Sequence, residues 1–117
     1  MIKPIVNLSK VAENYDTVIL GFNGVLSNGT EILPEAASCL KNLFTVGKKV
    51  VLLTNSPLRV ASIASLLAHA GISPALFSCI MSAGEVLHYR LKYASGDYAA
   101  LGNSYFHLGD KSDKGVF

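Results

Sequence analysis

Apolar runs and helical patterns alternate along the chain in three successive units. The apolar runs at residues 17–20, 50–53 and 77–81 predict three buried strands. Each run is followed by a segment with apolar residues at helical spacing. These stripes are Ala36, Leu40, Leu43 and Phe44; then Val60, Ile63, Ala64, Leu67 and Ala70; then Val86, Leu87, Leu91 and Ala94. Strands that alternate with helices predict an α/β fold, in which right-handed crossovers build a Rossmann-like parallel sheet with helices on both faces.

Residues typical of helix ends mark the boundaries of the three units. Pro34 fits the first turn of the first helix, and Gly47 fits the position just after its end. Ser56 fits the N-cap of the second helix. Ser82 and Glu85 have the spacing of a capping box at the third helix. We therefore expect the second and third helices to begin directly after their strands.

The histidines and cysteines give no candidate metal site. Residues 104–108 predict a further strand, in which His107 is expected to pack as an ordinary strand residue. His69 and His88 fall in predicted helices and are expected at a helix surface or boundary. Cys39 and Cys79 lack metal-type spacing, and we expect both to be buried thiols.

Composition predicts one domain over residues 1–117 and excludes several classes of partner. Half of the residues are hydrophobic and 15% are charged, which permits a sizeable core. The net charge of +2, on scattered basic residues, argues against a nucleic-acid partner. No apolar run approaches the ~20 residues that span a bilayer, so no membrane partner is expected. The N-terminus lacks a signal-peptide pattern, and we expect a cytoplasmic protein.

Candidate binding residues collect where the predicted strands end. Ligands of parallel α/β folds bind at the carboxyl ends of the strands. That rule brings residues 21–28, residues 54–56 and Ser82 to one rim of the sheet. Small polar residues and glycines are concentrated in these segments.

Residues 18–29, with the sequence VILGFNGVLSNG, resemble motif I of the haloacid dehalogenase-like (HAD) superfamily. Residues 51–57, VLLTNSP, resemble its motif II. Together with the later AGI at 70–72 and SAGE at 82–85, they are similar to class IIA of the superfamily. That class contains Mg²⁺-dependent phosphatases of sugar and nucleotide phosphates, so the resemblance implies a small phosphorylated metabolite as partner.

The resemblance also assigns a role to each matching position. Gly21 occupies the position of the nucleophilic aspartate, and Asn23 that of the acid/base aspartate, so no catalytic residue of motif I is intact. Gly24, Thr54 and Asn55 match positions that contact the phosphate or substrate. The family's Mg²⁺ is held by the first carboxylate and a later acidic motif, so its binding here is doubtful.

The resemblance covers only the N-terminal part of the family's core. Residues from about 103 to 117 resemble the start of an inserted cap, which implies an incomplete core. In that family the first strand is central, so its outer edge would be left unpaired here. We therefore expect self-association, or a partner chain, at the exposed edge of the sheet.

Three functions remain open from the sequence. The chain is a HAD hydrolase homologue with impaired catalysis, a non-catalytic phosphate-binding or protein-interaction module, or an unrelated flavodoxin-like domain.

Overall fold

The computed structural model describes Pro4 and residues 7–117, with the backbone alone at Ser112 and Asp113. A short helix precedes three units of strand and helix. The elements are α1 Ser9–Ala12, β1 Thr17–Gly21, α2 Pro34–Thr45, β2 Lys49–Thr54, α3 Val60–His69, β3 Cys79–Ser82 and α4 Ala83–Lys92. Three short 3₁₀ segments are Pro74–Leu76, Gly96–Ala100 and Lys111–Val116. None of the helices described here is long and apolar enough to cross a bilayer.

The three strands form one parallel sheet in the order β1-β2-β3. Thr17 pairs with Lys49 at the start of the sheet, and Gly21 pairs with Leu53 near its end. β3 continues the same register from β2, with Thr54 beside Ser82. The predicted α/β fold with a parallel, Rossmann-like sheet is therefore confirmed.

The two faces of the sheet differ in how well they are covered. Val50 and Leu52 point to one face, where they join Leu40 of α2 and Leu67 of α3 in a core with no exposed surface. Side chains alternate along a strand, so residues at the odd positions lie on the opposite face. We call this the open face, because Ile19, Leu53 and Met81 on it are 65%, 49% and 46% exposed. β1 lies at the edge of the sheet, and no other described strand pairs with its outer side.

The end of α2 confirms the role predicted for Gly47. The φ angle of Gly47 is +75°, in the left-handed region that favours glycine. Its N–H donates to the carbonyl of Phe44, and the next N–H, of Lys48, donates to the carbonyl of Leu43 at 2.9 Å. These two bonds form the Schellman arrangement that ends a helix and turns the chain into β2.

Several expectations about burial and strands are wrong. Residues 104–108 form no strand. Cys39 and Cys79 are both exposed. Cys79 lies on the open face, and Cys39 lines a cavity between α1 and α2.

The helical stripes are confirmed only where they meet the packed face. Their inner members Ala36, Leu40, Leu43, Ile63 and Leu67 are buried. Phe44, Ala70 and Ala94, at helix ends, are exposed instead. In α4 only Gly84 is buried, because its apolar residues lie beside the open face.

Candidate functional site

The register of the sheet brings the predicted binding segments to one rim. Gly21 of β1, Leu53 of β2 and Met81 of β3 lie side by side as the strands end. The polar segments that follow these residues therefore start from neighbouring positions. We call this edge the carboxyl rim.

A tight turn follows β1, within a segment that we call the flap (residues 22–33). The N–H groups of Leu26 and Ser27 both donate to the carbonyl of Phe22, at 2.9 and 3.0 Å. Gly24 donates to the carbonyl of Ser27 at 2.6 Å, and its φ angle of +78° explains the glycine. Asn23 is exposed within this turn, and its side chain is free to face solvent.

The flap then folds back on itself before α2 begins. The Asn28 side-chain oxygen accepts hydrogen bonds from the N–H groups of Thr30 and Glu31, at 2.9 and 2.8 Å. The N–H of Leu33 donates to the carbonyl of Leu26 at 2.8 Å. These bonds give the flap a defined shape.

The absence of a side chain at Gly21 is not imposed by packing. A Cβ atom added there would meet only a methyl group of Val25, at the ordinary contact distance of 3.7 Å. The φ angle of Gly21 is not in the left-handed region. The backbone at this position could therefore carry a larger residue.

Two hydrogen-bond donors remain uncommitted at the end of β2. Thr54 is only 9% exposed, and its hydroxyl oxygen accepts the N–H of Ser56 at 3.2 Å. Among the described residues no acceptor takes the hydroxyl hydrogen of Thr54. The exposed amide of Asn55 likewise has no hydrogen-bond partner in this part of the chain. A hydroxyl and an amide donor next to each other suit an anionic oxygen.

A cavity of about 380 Å³ opens beside these donors. Its walls come from the ends of β2 and β3, from α4 and from Tyr98. The lining residues are Leu53, Thr54, Asn55, Met81, Ser82, Ala83, Val86, Leu87 and Tyr98. Most of this wall is apolar, and its side-chain polar groups are those of Thr54, Asn55, Ser82 and Tyr98.

The segment after Thr54 corrects the predicted start of the second helix. Ser56 is not an N-cap, because its hydroxyl accepts the N–H of Leu58 at 3.1 Å within a local turn. α3 begins only at Val60, and its N-cap residue Arg59 makes no side-chain cap bond. The first N–H of α3 is instead bound by the carboxylate of Glu85, 2.8 Å away.

The capping box predicted at α4 is half confirmed. The Ser82 hydroxyl oxygen accepts the N–H of Glu85 at 3.0 Å. The Glu85 side chain, however, turns away from α4 and forms a bidentate ion pair with Arg59, at 2.8 and 3.0 Å. The side-chain hydrogen bond from Arg59 lowers the pKa of Glu85, against the opposing effect of burial. The same hydrogen bond raises the pKa of Arg59.

Sequence reasoning missed Arg59. In the sequence, Arg59 stands out only because it follows the predicted phosphate-binding segment by a few residues. No sequence pattern identifies Glu85 as its partner.

The donor set at the carboxyl rim does not fit the Mg²⁺ that the resemblance implies. Magnesium prefers carboxylate oxygens, and neither Gly21 nor Asn23 supplies one. The carboxylate of Glu85 is engaged by Arg59 and Val60. No group of three histidine, cysteine or acidic side chains within metal-binding range occurs among the described residues.

Comparison with known proteins gives a matching family and related structures. The family model described as haloacid dehalogenase-like hydrolase matches residues 18–113. A crystal structure of a hydrolase of the haloacid dehalogenase-like family from Brucella suis 1330 matches 93% of this chain with a TM-score of 0.75 and 21% identity. This chain spans 38% of the length of that hydrolase. Comparison with curated proteins gave no match.

Proposed function

Because the chain belongs to the haloacid dehalogenase-like hydrolase family, we propose that it is a degenerate relative of class IIA sugar and nucleotide phosphate phosphatases. It binds a small phosphorylated metabolite at the carboxyl rim and does not hydrolyse it by the family's route. The observation that carries this proposal is Gly21 at the nucleophile position, in a backbone with room for a side chain. Membership of the family removes the alternative of an unrelated flavodoxin-like domain.

The chemistry lost at the rim follows from two residues. A covalent phosphoryl intermediate needs a nucleophilic side chain, and Gly21 has none. The leaving oxygen needs a proton donor that is later a base, and the Asn23 amide cannot exchange a proton in this way. With no carboxylate at either position, the family's magnesium also loses a ligand, and we assign no step to it.

The binding groups are retained although the reacting groups are lost. Thr54 and Asn55 offer two donors at the end of β2, and the positive φ angle of Gly24 allows the flap to turn directly after β1. An anionic oxygen bound by neutral donors takes charge-assisted hydrogen bonds, which are stronger than neutral ones. These groups therefore support binding of a phosphoryl group without transfer.

A titration with inorganic phosphate, followed by NMR, tests the binding half of the proposal. We expect shift changes centred on Gly24 and residues 54–56. Thr54→Val keeps the shape of the side chain and removes its hydroxyl, so affinity should fall about tenfold. Thr45→Val is the matched control, because the Thr45 hydroxyl donates a hydrogen bond to the Lys41 carbonyl within α2. Shift changes confined to other residues, with none at residues 24 and 54–56, would contradict the proposal.

A phosphatase assay with Mg²⁺ tests the catalytic half. We expect no turnover with a panel of sugar and nucleotide phosphates. The double variant Gly21→Asp with Asn23→Asp should also stay inactive, because the described residues hold no further acidic cluster for the metal. Turnover by the unmodified chain would refute the loss of catalysis. Turnover by the double variant would show that the other groups needed for catalysis are present in this chain.

A second candidate function is association through β1, and the observation that favours it is the unpaired outer edge of this strand. The edge of residues 17–21 carries no charge and no proline, which are the usual protections of an edge strand. We propose a second copy of the chain as its partner. If two copies paired antiparallel about Ile19, Val18 of one copy would lie opposite Leu20 of the other on the packed face. No like charges would then face each other across the pair.

A further inference from the structure

The loop that follows β2 is held by the first turn of α4. Its Ser56 carbonyl accepts the N–H of Gly84 at 3.1 Å. Its Leu58 carbonyl accepts the Ser82 hydroxyl at 2.6 Å. Two carbonyl groups of one loop are thus bound by one turn of a helix that lies far away in sequence.

Gly84 allows this close approach. A Cβ atom at Gly84 would overlap the carbonyl group of Pro57 and would lie 2.9 Å from the carbonyl oxygen of Leu58. The two backbones are therefore in direct contact, and a side chain at Gly84 would push them apart.

Glu85 completes the contact with its charge. Its two carboxylate oxygens accept three hydrogen bonds, two from the Arg59 guanidinium and one from the N–H of Val60. Only 17% of the Glu85 side chain is exposed, so the pair is shielded from most of the solvent. A carboxylate at the start of α3 also interacts favourably with the helix dipole. Glu85 of α4 therefore caps the first turn of α3, which the N-cap residue Arg59 does not do.

The same contact extends to the C-terminal 3₁₀ segment. Arg59 donates a further hydrogen bond to the carbonyl of Gly115 at 3.2 Å. His88 of α4 is hydrogen-bonded through Nδ1 to the carbonyl of Val116 at 2.8 Å, and Val116 is buried. Arg59 is thus held from two sides, by the Glu85 carboxylate and by the end of the chain.

We propose that Glu85 is a positioning residue for the phosphate-binding segment, acting through what we call the α4 clamp (residues 82–85 against residues 56–60). The clamp begins one residue after Asn55 and holds the loop that directly follows Thr54, the last residue of β2. Glu85 itself contacts no ligand. This inference rests on the proposed function, in which Thr54 and Asn55 bind phosphate.

The variant Glu85→Gln tests the clamp, because it keeps the size of the side chain and removes its charge. We expect amide shifts to change at residues 54–56 in the free protein, and affinity for inorganic phosphate to fall about tenfold. Glu35→Gln is the matched control, since Glu35 is also an acid in the first turn of a helix and is exposed. It should leave both readouts unchanged.

A double-mutant cycle separates positioning from simple stabilisation. If Glu85 acts through Thr54, then Glu85→Gln should weaken phosphate binding much less in a Thr54→Val background than in the unmodified chain. Additive losses would overturn the proposal. Lower stability with unchanged affinity and unchanged shifts at residues 54–56 would also overturn it.

A failure of the proposed function gives a different result. If the unmodified chain binds no phosphate, the shifts of the free Glu85→Gln variant still decide whether the clamp positions the loop. Changes that reach residues 54–56 support the clamp, and changes confined to residues 59 and 60 overturn it.

Discussion

At the scale of single residues, Gly84 reverses the usual preference of a helix. Alanine in place of a helical glycine normally stabilises a protein by about 0.5–1 kcal/mol, because the unfolded chain loses freedom. Gly84 is the only buried residue of α4, and the carbonyls of Pro57 and Leu58 occupy the space that a side chain would need. Contact between two backbones therefore outweighs helix propensity at this position.

We predict that Gly84→Ala lowers the free energy of unfolding by about 1–3 kcal/mol, the range found for overpacked sites. Gly115→Ala is the control, because an added Cβ there would meet Arg59 at the ordinary distance of 3.5 Å. Urea unfolding of the three proteins measures the difference. Equal stability of Gly84→Ala and the unmodified chain would show that the loop moves away at no cost.

At the scale of elements, α3 depends on α4 for its first turn. Arg59 at the N-cap position has no side-chain cap bond, and Glu85 binds the N–H of Val60 instead. Capping groups usually come from the residue before the helix. Here the cap comes from the next helix along the chain, so the ends of α3 and α4 are stabilised together.

This shared cap predicts a pH dependence. The pKa of Glu85 is lowered in the folded state, chiefly by the Arg59 hydrogen bond and further by Val60 and His88. Its contribution is therefore complete above the ordinary carboxyl pKa of 4.5 and is lost as pH falls through the lowered value. Glu85→Gln should cost about 1 kcal/mol at neutral pH and should flatten the acid limb of stability. Urea unfolding at several pH values measures this, and an unchanged acid limb would contradict it.

Elements set by local pattern could be predicted from the sequence, and those set by distant contacts could not. The strands β1 and β2 and the end of α2 at Gly47 follow from apolar runs and one glycine. The start of α3 at Val60 could not be predicted, because its cap comes from a residue 25 positions away. The strand expected at residues 104–108 is absent, since an extended segment needs a neighbour that periodicity does not reveal.

The candidate site divides in the same way. Gly24, Thr54 and Asn55 could be proposed from short motifs, because a strand end and a turn are local features, and their role in binding stays a prediction. The ion pair between Arg59 and Glu85 could not be predicted, because their contact depends on how α3 and α4 pack together. Burial of Cys79 was predicted on the assumption that both faces of the sheet are covered.

At the scale of the whole molecule, one face of the sheet leaves large apolar side chains exposed. Ile19, Leu53 and Met81 form the open face, and β1 leaves its outer edge unpaired among the described strands. Contiguous apolar surface of this kind is typical of association sites. This is the physical reason to expect that the chain is not a lone monomer.

We predict that the chain self-associates, and that Ile19→Lys prevents this by placing a charge in the middle of the β1 edge. Light scattering should give a dimer for the unmodified chain and a monomer for the variant. The melting temperature of a dimer rises with protein concentration, and that of the variant should not. Phe44→Lys is the control, because Phe44 is also a large exposed apolar residue, 56% exposed, and belongs to α2 rather than to the sheet. A stable monomer at tens of micromolar would contradict the prediction and leave a different chain as the partner.

The strand order β1-β2-β3 also has a consequence for how the chain folds. Each strand pairs with the one made just before it, and the pairings Thr17–Lys49 and Val51–Cys79 each close a loop of about thirty residues. The entropic cost of the two closures is therefore similar. During synthesis from the N-terminus, the sheet can form once Ser82 has emerged, before residues 101–117 have left the ribosome. The last segment then closes through Arg59 and His88 onto helices that are already in place.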